Sequence, residues 1–346
     1  MDETRWTRLR ELTGYSGRVL GLNWSPDGRL LAGAATSEVR VWDTHTGEPT
    51  FTLHGHRSVV HEVVWSPTGE WLASVSDDRS DTTIRVWSVS DGRIVGELSG
   101  HDDVVWSVFW SPDGRRIASA SKDGSFRVWN VATGQVDFTR RAHLKSVWGA
   151  FWSPDGRMLA TASHEPIVRV WSSDDGRLLG TLRGHTKGVW QARWSPDSRR
   201  LVTVSSDGTT HLWRIDGGPR LEHCFRTADR FASAAWSPDG TRFACGSGEG
   251  DVEVRDPAGR LLANLVGHST WVGNLAWSAH GRYLASGSDD HTLRVWDWTD
   301  LRCVVEIPDH TSVITGTNPW SPVANLVASG KDGGAIEIWG PVGHGV

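Results

Sequence analysis

Short apolar runs with the spacing of β-strands recur along the whole chain, each closing on a tryptophan and running into a polar turn. The closing residues are Trp24, Trp65, Trp110, Trp152, Trp194, Trp236, Trp277 and Trp320, each 41 to 45 residues after the last. A fixed period of about 40–45 residues with strand signals marks one supersecondary unit repeated around a ring. The third unit shows its parts. Residues 104–110 form a β-branched and aromatic run, strand a; Ser111-Pro112-Asp113-Gly114 supplies a turn, with Pro at its second position and Gly where a positive φ is needed. Residues 117–121 read as strand b, Lys122-Asp123-Gly124 as a second turn, and residues 126–129 as strand c with period-two alternation. Residues 135–139 make a more polar strand d, as suits an outer edge.

The same frame fits all eight units, and no segment holds a helical period, so the chain is predicted to be all-β. The expectation is an eight-bladed β-propeller of four-stranded antiparallel blades, one domain over residues 1–346. The eighth unit stops just after its strand c at Trp339, whereas residues 4–12 precede strand a of the first unit and resemble a strand d. Residues 4–12 are therefore expected to complete the blade formed by 311–340, sealing the ring and removing its open edges.

Composition narrows the function. The 22 tryptophans supply the large apolar surface that a 38% hydrophobic chain otherwise lacks. A net charge of −5 gives no electrostatic reason to expect a nucleic-acid or membrane partner. Cys224, Cys245 and Cys303 form no Cys-x-x-Cys pair, which argues against a zinc site or disulfide framework and fits a reducing, cytoplasmic setting. The charged N-terminus is not a secretory signal, and no apolar run approaches 18 residues.

Four polar positions recur with the tryptophans. A His precedes strand a, a Ser or Thr stands in strand b, an Asp in the b–c turn and a Trp in strand c. The sets are His56, Ser74, Asp81 and Trp87; His101, Ser119, Asp123 and Trp129; His185, Thr203, Asp207 and Trp213; and His268, Ser286, Asp290 and Trp296. The fourth unit has His143, Thr161 and Trp171, with Glu165 in the Asp place. On these residues the chain resembles the WD-repeat (WD40) β-propeller family, over essentially residues 4–340, and its Trp-Ser-Pro-Asp-Gly turns look most like prokaryotic members. The resemblance implies that each set forms a hydrogen-bonded network within its blade. Units one, six and eight depart from it: Tyr15 replaces the His of unit one, which also lacks the Asp. Thr227, Cys245, Glu249 and Arg255 replace the set in unit six, and His310 is one residue out of register in unit eight. Packing is expected to hold those three blades instead.

A hydrolytic triad is needed once, yet Ser or Thr, His and Asp recur here with Trp in blade after blade. Their expected task is to satisfy buried polar groups, each worth about 1–3 kcal/mol if left unpaired. No metal-ligand cluster, nucleophile elbow or phosphate-cradling loop appears, so neither a catalytic residue, a metal nor a cofactor is expected. Fifteen tryptophans end strands a and c, which leaves seven others. Trp106, Trp148 and Trp190 lie five residues after a motif histidine, His61 holds the same place in unit two, and Trp271 lies three after His268. In the family such positions open onto the narrower face around the central channel, where partners commonly dock. Neighbouring blades would present there a contiguous arc of exposed aromatics, the stuff of interface hot spots. Filling the channel and caging a cation are the other readings of these rings. The run Asp77-Asp78-Arg79-Ser80-Asp81, with Asp102 and Asp103 nearby, is expected as a solvated turn that makes this rim acidic and favours a basic partner segment. The expected function is a monomeric, non-catalytic scaffold that binds a protein or peptide through His61, Trp106, Trp148, Trp190 and Trp271. The alternative is a sensor module for a small molecule or modified peptide at the channel mouth, acting with a separate effector.

Overall fold

The computed structural model describes residues 5–226, 233–310 and 318–342. Eight antiparallel sheets follow one another along the chain, with no helix among the described residues. Blade 3 is typical: strands Val105–Trp110, Arg116–Ser121, Ser125–Asn130 and Gln135–Arg141 pair in sequence order. Strand d runs past the predicted residue 139 because Phe138 pairs with Val128 and Arg141 still meets Ser125 at the start of strand c. The a–b turn follows its motif. Ser111 Oγ donates to Asp113, which accepts the Arg115 N–H, while Gly114 takes a φ of 69°.

Each core lies between two blades. One cluster joins Val75, Ile84, Val86 and Leu98 of blade 2 to Val108, Trp110, Ile117 and Trp129 of blade 3. A blade has two apolar faces because period-two alternation points side chains to both sides of its sheet. It buries both only with a neighbour on each side, so the array is driven to close. The tryptophan that ends strand a fixes the spacing of neighbours. Its indole N–H donates to a backbone carbonyl of the preceding blade: Trp65 to Asn23, Trp110 to Val64, Trp152 to Phe109 and Trp194 to Phe151, at 2.9–3.2 Å. The series continues with Trp236 to Arg193, Trp277 to Ala235 and Trp320 to Ala276, and Trp24 to Pro319 crosses the seam at 2.9 Å.

The closure has the predicted form. Strand Trp6–Leu12 pairs antiparallel with Ile336–Pro341, which pairs with Val327–Gly330, and Trp320 bridges Val327. Residues 311–317, expected to open this blade, lie outside the described residues, and the sheet has three strands among those described. Blade 8 packs on both neighbours: Leu326, Ala328, Ile336 and Ile338 join Leu22, Trp24 and Trp42 of blade 1, whereas Trp320 and Val327 join Tyr283 and Val295 of blade 7.

Candidate partner-binding face

The end of the ring where the motif histidines meet the b–c turns carries a repeated irregularity. Pairing of strands a and b slips at one residue in blades 2, 3, 4, 5 and 7, between Val60 and Glu62, Val105 and Ser107, Val147 and Gly149, Val189 and Gln191, and Val272 and Asn274. The residue inside each slip is His61, Trp106, Trp148, Trp190 or Gly273. A bulge leaves that residue out of the ladder and re-aims its side chain, so four of the five predicted binding residues sit at bulges, and Trp106, Trp148 and Trp190 are half-buried there.

The tryptophans meet across blade boundaries. Trp106 and Trp148 lie 5.3 Å apart between ring centroids, and Trp148 stacks on Trp190 at 4.5 Å with 28° between planes. His164, exposed in the b–c turn of blade 4, adds a third ring 4.4 Å from Trp148. Trp106 donates its indole N–H to Ser146 Oγ at 2.8 Å, and Trp190 donates to Ser206 Oγ at 2.5 Å. These rings are half-buried rather than fully exposed, because each shields the next. The indole N–H of Trp148 has no hydrogen bond among the described residues.

Two of the expected contributors differ from the arc. His61 is buried at 6% exposure, with Nε2 3.0 Å from the Trp106 carbonyl oxygen and its ring 6.4 Å from that indole. It props the adjoining blade and presents no ring to solvent, because its bulge lies beside the larger Trp106. Trp271 precedes its strand and stands two blades beyond Trp190. Its ring lies over Gly273, where an added Cβ would come within 2.7 Å of it, so it takes the place of the side chain that the bulge residue lacks. His164 was missed because nothing in the sequence marks a turn histidine as adjacent to Trp148.

Behind the arc, the polar sets connect as a directional relay. In blade 3, Trp129 donates to Ser119 Oγ at 2.8 Å, Ser119 lies 2.8 Å from His101 Nε2, and His101 Nδ1 lies 2.7 Å from Asp123. A neutral histidine with its proton on Nδ1 satisfies every member. Burial favours that form by holding His56, His143, His185 and His268 below the usual imidazole range. Hydrogen bonds from Thr209 and Thr292 help to hold Asp207 and Asp290 down at about 2, against the opposing effect of burial. His56, His185 and His268 reach Ser74, Thr203 and Ser286 at 2.7–2.8 Å, and the indoles of Trp87, Trp213 and Trp296 donate to the same hydroxyls at 2.8 Å. Blade 4 completes the relay with a glutamate: His143 Nδ1 lies 2.9 Å from Glu165, and Trp171 donates to Thr161 at 3.0 Å.

The divergent blades are wired differently. In blade 1 the Tyr15 hydroxyl donates to the Gly33 carbonyl and accepts the Arg40 N–H, leaving the Trp42 indole N–H unpartnered. In blade 8, expected to rely on packing, His310 does reach Ser329, at 2.9 Å through Nδ1. Its one-residue offset is absorbed by the use of the other ring nitrogen. In blade 6 Cys245 is buried and Arg255 pairs with Glu253 over the Phe225 ring, while Thr227 lies outside the described residues.

In the acidic run, residues 77–80 are exposed or half-buried, whereas Asp81 turns inward. Asp81 is 4% exposed, bound to His56 at 2.9 Å and to Arg85 at 2.8 Å, and Arg79 pairs with Asp103 at 3.2 Å. One of its three aspartates is thus neutralised within the protein, because the three extra residues carry Asp81 back into the motif position. No cluster of three or more metal-ligating side chains occurs among the described residues. Burial raises all three thiols, Cys245 to about 12, so none is a ready thiolate nucleophile.

Two charges enter the apolar strands a. Glu62, 1% exposed, accepts the Val108 N–H at 2.8 Å, and Arg193 lies 5.2 Å over the Phe151 ring. They stand three blades apart, in the strands a of blades 2 and 5. A charged residue inside an apolar run was the available signal for both. Burial pushes the Glu62 carboxyl up to about 8, partly opposed by the Val108 N–H and by Arg193. A folded pKa above the unfolded one means that the stability it confers is complete below about 4.5 and is lost as pH rises toward 8. Glu62→Gln is therefore expected to leave stability at pH 4.5 nearly unchanged and to raise it by about 2–4 kcal/mol at pH 8. Parallel wild-type and variant denaturation curves at the two pH values would refute this.

The comparisons with known proteins agree with the geometry. The WD domain, G-beta repeat family matches residues 6–43, 47–88, 92–130, 134–172, 176–214 and 259–297. The match skips residues 215–258, which hold most of the divergent blade 6. A chromatin assembly factor 1 subunit of Mus musculus is 31% identical over 80 residues, 23% of this chain and 14% of that protein. The nuclear distribution protein PAC1 of Tuber melanosporum is 42% identical over 72 residues, 20% of this chain and 16% of its own length. The chain therefore matches about one-seventh of the length of these curated relatives. The crystal structure of the computationally designed Ika8 protein superposes with a TM-score of 0.83 at 23% identity, over 96% of this chain and 99% of that one, a likeness of fold. With six repeats matched across more than half its length, and the relay of Trp, Ser or Thr, His and Asp or Glu in five blades, the chain belongs to the WD domain, G-beta repeat family.

Proposed function

We propose that the protein is a non-catalytic scaffold that binds a protein or peptide on the face where the motif histidines lie, around the mouth of the channel. The observation that carries this reading is the stack of Trp106, Trp148 and Trp190, lifted out of three successive blades by three successive bulges. A bulge interrupts the ladder, and five copies of one are a feature that packing within a blade does not need. Trp148 is the centre of the site: it lies between two other indoles and keeps a free donor. Trp190 and Trp106 flank it, Trp271 extends the face toward blade 7, and His61 supports Trp106 from beneath. The family's membership is in keeping with assembly work, and no helix of the described residues is long and apolar enough to cross a membrane.

Trp148→Ala is expected to weaken partner capture from native lysate by about 30-fold, the scale of a hot-spot aromatic. Its melting temperature should fall by no more than about 3 °C, since the ring is half-buried and bonds to nothing. Capture unchanged in the variant, or a collapse in stability, would place Trp148 in the core instead.

A second reading, recognition of a small ligand at the channel, draws on the two charges Glu62 and Arg193 within the strands a of blades 2 and 5. It calls for a ligand that changes tryptophan fluorescence and raises the melting temperature of the purified protein alone.

A further inference from the structure

The chain uses lysine sparingly, with four among its 36 basic residues: Lys122, Lys145, Lys187 and Lys331. Lys331 is occupied, donating to the Pro308 carbonyl and pairing with Glu337 at 2.9 Å. The other three border the tryptophan stack. Lys122 opens the b–c turn of blade 3, while Lys145 and Lys187 each lie two residues after a motif histidine, in the loops that enter blades 4 and 5. All three are exposed, and none makes an ion pair or hydrogen bond among the described residues. Arg141 and Arg183, the last residues of strands d in blades 3 and 4, stand opposite the starts of strands c at the same end and are likewise exposed and unpaired.

These positions are contiguous. An added Cβ on Gly124 would lie 2.7 Å from the His143 carbonyl oxygen and 3.4 Å from that of Lys145, so the blade 3 turn abuts the next entering loop. One on Gly188 would lie 3.0 Å from His164, joining the blade 4 turn to the loop of Lys187. The carboxylates of this sector face inward and are engaged. Asp123 is bound by His101 and the Asp102 N–H, Glu165 by His143, Arg169 and the Leu144 N–H, and Asp207 by His185 and the Thr186 N–H. Apart from the exposed Asp102, the charges that reach solvent in these loops and turns are basic, on a chain whose net charge is −5. Leu144 projects among the cations at 84% exposure, the most exposed large aliphatic of the described residues. The acidic run expected to attract a basic partner lies one blade away, where Arg85 pairs with Asp81 and Arg79 pairs with the neighbouring Asp103.

We infer that the sector of blades 3 to 5 receives an acidic segment of a partner protein. Its carboxylates would meet Lys122, Arg141, Lys145, Arg183 and Lys187, and its apolar side chains would rest on Leu144 and Trp148. This rests on the scaffold reading and reverses the charge of the partner that the amino-acid pattern suggests. Lysine suits such a rim, being a compact charge on a flexible stem that adapts to carboxylates in varied positions. Exposed pairs of this kind steer and select more than they bind, so the stack supplies affinity and the cations supply preference.

The test is to pan a random 12-residue peptide display library against the full chain and against Lys145→Glu/Lys187→Glu. The wild type is expected to enrich peptides rich in Asp and Glu, and the variant to lose them. The affinity of the best peptide, read by tryptophan fluorescence, should drop at least 5-fold between 50 and 300 mM salt and at least 10-fold in the variant. The variant's melting temperature should stay within about 2 °C of wild type, because neither lysine side chain makes an ion pair or hydrogen bond among the described residues. Basic or uncharged winners, acidic winners that bind the variant equally, or no enrichment at all would overturn the inference. If lysate capture is lost in Trp148→Ala but survives the charge reversal, the scaffold reading stands and the acidic partner does not.

Discussion

Deletion of residues 1–12 is expected to lower the melting temperature by more than 10 °C and to turn the protein into a mixture of oligomers on size-exclusion chromatography. The lost strand supplies the outer edge of the last blade, in register from Trp6 opposite Pro341 to Leu12 opposite Ile336. Trp6 and Leu12 are 6% and 1% exposed, and each is worth about 2–5 kcal/mol when truncated. The loss, about 6 kcal/mol or more, is a large part of what a folded domain has in reserve. Removing the strand also uncovers the backbone donors and acceptors of Ile336–Pro341, a template for pairing with another molecule. Leu12→Asp separates the two effects, since it keeps the strand and breaks only its packing. A truncated chain that stayed monomeric with an unchanged melting temperature would show that the ring closes elsewhere.

Asp123→Ala is expected to cost about 3 kcal/mol in urea denaturation, with an unchanged m-value. The carboxylate accepts from His101, from the N–H groups of Asp102 and Ser125, and from the Ser125 hydroxyl. Removing it orphans several donors at once, and a group stripped of its buried partner suffers its full desolvation penalty. Asp123→Asn should recover part of the loss, because the amide oxygen still accepts from the backbone. Glu249→Ala is the control: this exposed glutamate takes the Asp place in blade 6, where the described residues form no relay, and its removal should change stability by less than about 0.5 kcal/mol. Equal losses at the two sites would show that the relay has no energetic role.

The fold was legible because each blade repeats the same signals, so that an error in one copy is corrected by seven others. The alternation around Trp129 and the Ser-Pro-Asp-Gly turns give strands and hairpins locally, and the orphaned strand at residues 6–12 gives the closure. Contacts between blades were harder to see. Trp65, Trp110 and their counterparts look like apolar strand ends, whereas their indole N–H groups reach carbonyls some forty residues earlier, and no local pattern names the acceptor. The bulges escaped notice for a related reason. A slip between Val105 and Ser107 depends on strand b, and the run Val105-Trp106-Ser107-Val108 reads as one continuous β-branched and aromatic strand. Hence Trp106, Trp148 and Trp190 could be singled out by spacing but not by environment, and His61 was grouped with them although its smaller ring sinks beneath its neighbour. Residues 77–81 display three aspartates to the eye, whereas the fold turns one of them inward and leaves the lysines of another blade outside.

The circle of indole-to-carbonyl links bears on how such a molecule could change its size. Trp24 to Pro319 is chemically the same link as Trp65 to Asn23, so the join between the first and last blades looks like any other boundary. Loss or duplication of one unit would present the same donor to the same acceptor and would meet no local mismatch. What resists a seventh or ninth member is the angle between adjacent sheets, shared as a small deformation among all of them. Blade count is therefore a collective property, open to drift by unequal recombination, whereas the chemistry of each boundary is not.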